Sequence, residues 1–231
     1  MTTTIKNVVL VHGAFADGSG WRPVYDRLTA RGYNVSVVQN PLTSWEDDIQ
    51  ATRRVLARQD GPTILVGHSY GGPIITEVGA DDKVAGLVYV ASFAPDVGEP
   101  LSALYGDHPP AAEWVVEEAG DGFLFVSPDH FKAGFSADLS DADAAFLAAS
   151  QVPIAAAAFG VPAKAAAWRT KPSWMVISTQ DRSIVPELQR IHARKIGATV
   201  TEVEGSHAVF LSKPDEVAAV IEAAAKGSAQ A

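Results

Sequence analysis

The chain of 231 residues is 47% hydrophobic and 19% charged, the make-up of one globular domain with room for an insertion rather than of a disordered chain. Its formal net charge of −9, with no run of Lys or Arg, argues against nucleic acid and anionic membrane surfaces as partners, and no stretch reaches the roughly 18 apolar residues that membrane insertion needs. The absence of cysteine excludes disulfides, thiolate metal sites and a cysteine nucleophile.

The opening Met1-Thr2-Thr3-Thr4-Ile5-Lys6 lacks the apolar core of a signal peptide, so a cytoplasmic setting is expected. Asn7 to Val11 is a continuous apolar run, the mark of a strand buried on both faces, and it ends in the glycine-rich loop His12 to Trp21. A helix is predicted from about Trp21 to Ala30, with Pro23 in its first turn and Gly32 just past its end. Asn34 to Val38 reads as the second strand. Thr43 or Ser44 can cap a helix reaching about Gln59, with Glu46, Asp47 and Asp48 in its first turns, where they suit the helix dipole. Thr63 to Val66 is a third strand, leading into Gly67-His68-Ser69-Tyr70-Gly71-Gly72 and a helix to about Gly79. Val84 to Val90 is a fourth.

From Pro95 to Lys171 the rhythm changes to prolines, alanines and aromatics, with short helices predicted over 141–150 and 162–168. Alternation resumes with a strand over Trp174 to Ser178, a helix over Pro186 to Ile196, a strand over Thr199 to Val203 and a last helix over Pro214 to Ala225. The tail from Lys226 to Ala231 is expected to fray. Apolar strands alternating with helices predict an α/β fold, a mostly parallel, doubly wound sheet of about six strands. Residues 1–94 and 172–231 would form its core, and 95–171 a small helical cap laid over the carboxyl edge, where such sheets bind ligands.

Gly67-His68-Ser69-Tyr70-Gly71 is a G-x-S-x-G sequence between a strand and a helix, the setting of a nucleophile elbow. The turn strains the serine backbone so that its hydroxyl stands clear of the sheet, and the flanking glycines leave no room for side chains. A serine nucleophile needs a base, and the base needs an orienting group; on such sheets they follow in the chain order Ser, Asp or Glu, His. Of the six histidines, His12 and His68 sit in loops with other duties, His192 lies inside a helix, and His108 and His130 lie in the cap. His207, in the loop after the last strand, is the predicted base. Asp181, just past the preceding strand, is the predicted orienting acid, with Asp96 after the fourth strand as the alternative. The developing oxyanion would take the backbone N–H groups of Tyr70 and Ala14, Gly13 permitting close approach. Gly13, Phe15, Trp114, Phe125 and Phe159 are the candidate pocket residues, two or three of the cap aromatics being expected to touch substrate. No helix carries paired ligands at metal spacing, and the first loop matches neither G-x-G-x-x-G nor a P-loop, so neither metal nor other cofactor is expected.

Val8 to Ala14, Leu65 to Gly72, Ala91 to Asp96, Asp181 with Ile184 and Pro186, and Gly205-Ser206-His207 together resemble the α/β-hydrolase superfamily. The likeness is to the branch of plant methyl esterases, hydroxynitrile lyases and related bacterial carboxylesterases, including pyrethroid-hydrolase-like enzymes. It covers about two thirds of the chain, on both sides of the cap. The family's opening antiparallel strands are not expected here, since so little chain precedes Asn7. Hydroxynitrile lyases of this type carry a threonine where this chain has Gly13, and a lysine after the catalytic histidine, where this chain has Ala208. The resemblance therefore implies a serine esterase acting on a small-molecule ester, with a homodimer left open. A hydroxynitrile lyase, a cofactor-free perhydrolase or haloperoxidase, a lactone or diketone hydrolase, and a non-catalytic ligand receptor are the alternatives on the same fold.

Overall fold

The structure is a computed structural model that describes residues 5–228; the readings made on residues 1–4 and 229–231 lie outside it. In chain order, β1 (Asn7–Val11) is followed by α1 (Arg22–Ala30), β2 (Asn34–Val37), α2 (Trp45–Ala57), β3 (Thr63–His68), α3 (Gly71–Val78) and β4 (Val84–Val90). Then come β5 (Val116–Gly120), β6 (Phe123–Val126), α4 (Pro128–Phe135), α5 (Asp141–Ser150) and β7 (Ile154–Ala155). The chain returns through β8 (Ser173–Ser178), α6 (Pro186–Ile196), β9 (Thr199–Val203), the short α7 (Val209–Ser212) and α8 (Pro214–Gly227).

Six strands form one sheet in the order β2-β1-β3-β4-β8-β9, and every neighbouring pair is parallel. Because side chains alternate across a strand, each strand feeds two cores. Val9, Val11, Leu65, Leu87, Tyr89, Met175 and Ile177 pack with α2, α3, α6 and the β4–β8 segment on one face. Val8, Leu10, Ile64, Val66, Val88, Val90 and Val176 pack with α1 and α8 on the other. That double burial is why the strands read as unbroken apolar runs rather than as alternating ones.

Local signals act as expected in several places. The Ser44 hydroxyl caps α2 by accepting the Asp47 N–H at 3.1 Å, and Gly197, at φ +62°, ends α6 in the left-handed conformation. Between β4 and β8 the structure departs from a purely helical cap. A second, three-stranded antiparallel sheet, β5-β6-β7, lies there, turned by Gly120-Asp121-Gly122, all three at positive φ. α4 also lies there, in a stretch for which the sequence predicts no element. The helix predicted over 162–168 is reduced to a 3-10 turn at Ala167–Arg169. The backbone just before it is held outward instead: Ala163 N–H donates to Glu99 O and Lys164 N–H to the Glu77 carboxylate.

Candidate active site

β3 carries its last apolar residues into a turn whose geometry is set by close approach. A Cβ on Gly67 would run into the Gly71 carbonyl, and one on Gly71 would lie 2.6 Å from the Val11 carbonyl at the end of β1. Ser69 between them adopts φ +50°, a left-handed conformation that costs a non-glycine residue on the order of 1–3 kcal/mol. The turn is fastened around it. Ser69 N–H donates to Val90 O (3.1 Å), while Ser69 O accepts the Gly72 N–H (2.9 Å) and the Ser92 hydroxyl (2.5 Å). The serine remains partly exposed, and it opens onto a cavity.

Two neighbouring strands deliver the other polar groups. Asp181 follows β8 and His207 follows β9, and His207 Nδ1 lies 2.7 Å from Asp181 Oδ2 with both side chains buried. The carboxylate is otherwise filled with donors. Oδ1 accepts the Ser183 and Ile184 N–H groups at 2.8 and 2.9 Å, and Oδ2 accepts the Gln189 amide at 2.9 Å. A carboxylate so surrounded calls for a proton on Nδ1, so that in the neutral ring Nε2 carries the lone pair. Nε2 is buried and has no hydrogen-bond partner among the described residues.

The His207 loop is gripped from several sides. His68 Nε2–H donates to the His207 carbonyl at 2.9 Å, and burial, with the nearby His207 ring, holds the His68 pKa well below its usual value. The β4–β8 segment contributes the Phe135 carbonyl, which accepts the Ala208 N–H (3.0 Å), and Asp138, which accepts the Ser206 N–H (3.1 Å). The rings of Phe135 and Trp114 stand edge-on to the imidazole at centroid distances of 5.1 and 5.8 Å.

The loop after β1 supplies the third part. His12 accepts the Asn40 N–H on Nε2 (2.9 Å) and so donates from Nδ1 to Gly13 O (2.8 Å); burial lowers its pKa. Gly13 lies against the nucleophile turn, where a Cβ would sit 2.8 Å from Ser69 Cβ. Neither Ala14 nor Tyr70 donates its backbone N–H to another described residue. Both residues line the cavity beside Ser69.

The cavity encloses about 320 Å³, and no charged side chain lines it. Phe15, Trp114 and Phe159 form part of its wall. Gly13 and Phe125 do not: Gly13 is turned against Ser69 and His68, and because side chains alternate along β6 the cavity takes Leu124 instead of Phe125. Phe93, Leu101, Tyr105, Pro110, Val116 and Ser183 complete the lining. Most of these lie in the irregular 93–116 stretch, where no periodicity marks which side chains face inward. Asp96, the alternative acid, is instead engaged by Arg169 at 3.0 and 2.5 Å near the surface. Among the described residues no three His, Asp or Glu side chains come together as a metal site, and no helix is long and apolar enough to cross a membrane.

A further buried acid stands beside the site. Asp48 is fully buried, and its Oδ2 accepts the Tyr70 hydroxyl at 2.8 Å. Its signal is its place on the inward stripe of α2 with Trp45, Ile49, Thr52 and Leu56.

The chain is similar to several known proteins. An alpha/beta hydrolase of Aspergillus novofumigatus, nvfD, is 26% identical over 242 residues, covering 94% of this chain and 96% of that protein. A carbendazim hydrolyzing esterase of a Nocardioides species is 39% identical over 115 residues, a match covering 43% of this chain and 47% of the relative. In three dimensions, a pyrethroid hydrolase from Sphingobium faniae superposes with a TM-score of 0.82 over 99% of this chain and 100% of that one; at 22% identity this likeness concerns the fold. The sequence model of the alpha/beta hydrolase family matches residues 8–220, nearly the whole sheet from β1 to α8, and the chain belongs to that family.

Proposed function

We propose that the protein is a serine esterase that cleaves uncharged carboxylic esters of small or medium apolar groups through an acyl-enzyme. The observation that carries this reading is the buried pair of His207 Nδ1 and Asp181 Oδ2, 2.7 Å apart, on loops that follow β9 and β8 of the sheet whose β3 leads into Ser69. Ser69 at a strained turn, opening onto an uncharged cavity, supports it. So do the relatives named as esterases, the carbendazim hydrolyzing esterase and methylesterase 7 of Arabidopsis thaliana.

In this reading Ser69 Oγ attacks the ester carbonyl as its proton passes to His207 Nε2. Asp181 keeps the Nδ1 proton in place and offsets the positive charge that forms on the ring. The tetrahedral oxyanion is received by the Ala14 and Tyr70 N–H groups, each such donor being worth on the order of 10² to 10³ in rate. His207 then gives its proton to the departing alcohol, and a water activated by the same ring releases the acid. Esterase is favoured over cyanohydrin lyase by the residue after the histidine, because Ala208 is apolar and fully buried and offers no cation for cyanide.

Nitrophenyl and methyl esters from acetyl to decanoyl, assayed with the wild type and Ser69→Ala, test the proposal. Turnover should be measurable for the shorter acyl groups and fall by about 10⁶ in the variant, the scale of nucleophile loss in an unrelated serine hydrolase. Ester turnover that survives in Ser69→Ala, or a wild type inert to every ester, overturns it.

A further inference from the structure

Asp48 is a buried acid that the mechanism above does not use. It is 0% exposed, and no Lys, Arg or His side chain pairs with it among the described residues. Burying a carboxyl without a cation is costly, and burial pushes its pKa up to about 6 despite the two hydrogen bonds it accepts. Both of its oxygens are committed to backbone-shaping contacts. Oδ2 accepts the Tyr70 hydroxyl at 2.8 Å, and Oδ1 accepts the Leu42 N–H at 2.8 Å.

Each contact leads to one side of the cavity. Tyr70 follows Ser69, and its ring is clamped between Trp45 of α2 and Phe159 of the β4–β8 segment at centroid distances of 5.9 and 5.8 Å. A side chain held at its tip and on its flanks cannot rotate, so the Cα and amide of Tyr70 are held with it. Leu42 is itself at φ +59°, and its carbonyl accepts the Ala155 N–H of β7 at 2.9 Å. β7 pairs with β6, which places Leu124 in the cavity wall. One acid thus joins the covering sheet to the turn that carries the nucleophile.

We propose that Asp48 is a positioning residue that holds the Tyr70 amide in register for the oxyanion by tethering the Tyr70 phenol, and that it ties this register to the covering sheet through Leu42 and Ala155. The proposal rests on the esterase reading of Ser69. It asks of Asp48 an effect on the transition state, not on substrate capture.

A double-mutant cycle tests it. kcat and KM for nitrophenyl butyrate are measured with Asp48→Ala, Tyr70→Phe and the pair, alongside thermal stability. Asp48→Ala and Tyr70→Phe should each lower kcat by about 10- to 100-fold, the scale of a misplaced reacting group, with KM within about twofold. In the Tyr70→Phe background, Asp48→Ala should cost little more, because both changes cut the same tether. Asp48→Asn keeps an acceptor for Leu42 and a polar group for the phenol, so it should recover most of kcat. Should Asp48→Ala fail to fold, Tyr70→Phe and Asp48→Asn still decide the matter. A Tyr70→Phe enzyme with wild-type kcat overturns the proposal, as do fully additive losses or an effect confined to KM. Turnover surviving in Ser69→Ala would remove the esterase reading itself, whereas Ser69-dependent turnover indifferent to Tyr70→Phe removes only this one.

Discussion

The floor and the roof of the cavity are built on different principles. The floor hangs on the carboxyl ends of β1, β3, β8 and β9, and its groups are locked by backbone bonds: Ser69 by Val90, Gly72 and Ser92, Asp181 by Ser183 and Ile184. The roof, between β4 and β8, is a short antiparallel sheet, two helices and irregular chain. Its β5 is exposed throughout, and Phe146 on α5 is 67% exposed. In the proposed mechanism the floor holds the reacting groups, whose placement covalent chemistry makes critical. In the esterase reading the roof would choose what may lie on them, a task that tolerates looser packing and readier substitution. Substitutions on the two sides should therefore fail in different ways.

The sharpest contrast is expected at Asp181. Asp181→Asn should keep the fold and the cavity yet lower kcat by about 10⁴, the scale seen when a triad acid is replaced in an unrelated protease, because the amide can stabilise the wrong imidazole tautomer. A stable Asp181→Asn enzyme within tenfold of wild type would break the floor's assigned role. Gly13→Ala comes next. Its Cβ would press on Ser69 Cβ at 2.8 Å, so the loop that offers Ala14 N–H must move; kcat should drop by about 10² with KM little changed. A Gly13→Ala enzyme with full turnover argues that Ala14 does not receive the oxyanion.

On the roof the effect should be smaller and of another kind. Leu124→Ala enlarges the cavity without touching the reacting groups, so kcat for acetyl esters should hold while KM for longer acyl groups changes several-fold, on the scale of one to three kcal/mol or less expected for a few methylenes. A loss of kcat across all chain lengths would mean that roof and floor are not separable. The smallest effect concerns Asp48. A carboxyl whose pKa is raised on folding, here to about 6, contributes stability that is complete below its unfolded value and is lost as pH rises through the folded one. Asp48→Asn removes that dependence, so its melting temperature should gain on the wild type between pH about 4 and about 7. Melting curves that stay parallel over this range contradict the raised pKa.

The same division decides how much could be read from the chain alone. Strands buried on both faces announce themselves, as Val8 to Val11 and Leu87 to Val90 do, and their ends locate Ser69, Asp181 and His207. The geometry brings Asp181 and His207 together, as their places after β8 and β9 led us to expect. The roof gives weaker signals. Glu117 and Glu118 make β5 look like loop, although Gly120-Asp121-Gly122 before Phe123-Leu124-Phe125-Val126 marks a hairpin. Phe125 looked like a pocket residue on its aromaticity, but the pleat of β6 turns Leu124 inward instead. In sequence, Asp48 stands with Glu46 and Asp47 in the first turn of α2, as a partner of the helix dipole. Its neighbour Asp47 does sit at the exposed cap, but one residue on, a 100° turn of the helix carries Asp48 into the core.

The central claim is that Ser69 is the nucleophile of an acyl-enzyme. Its most direct test is labelling with a fluorophosphonate, followed by intact mass and peptide mapping of the wild type and Ser69→Ala. One adduct per chain is expected, mapped to Ser69, suppressed by a slowly turned-over ester and absent from the variant. An adduct on any other residue, or equal labelling of Ser69→Ala, would contradict it.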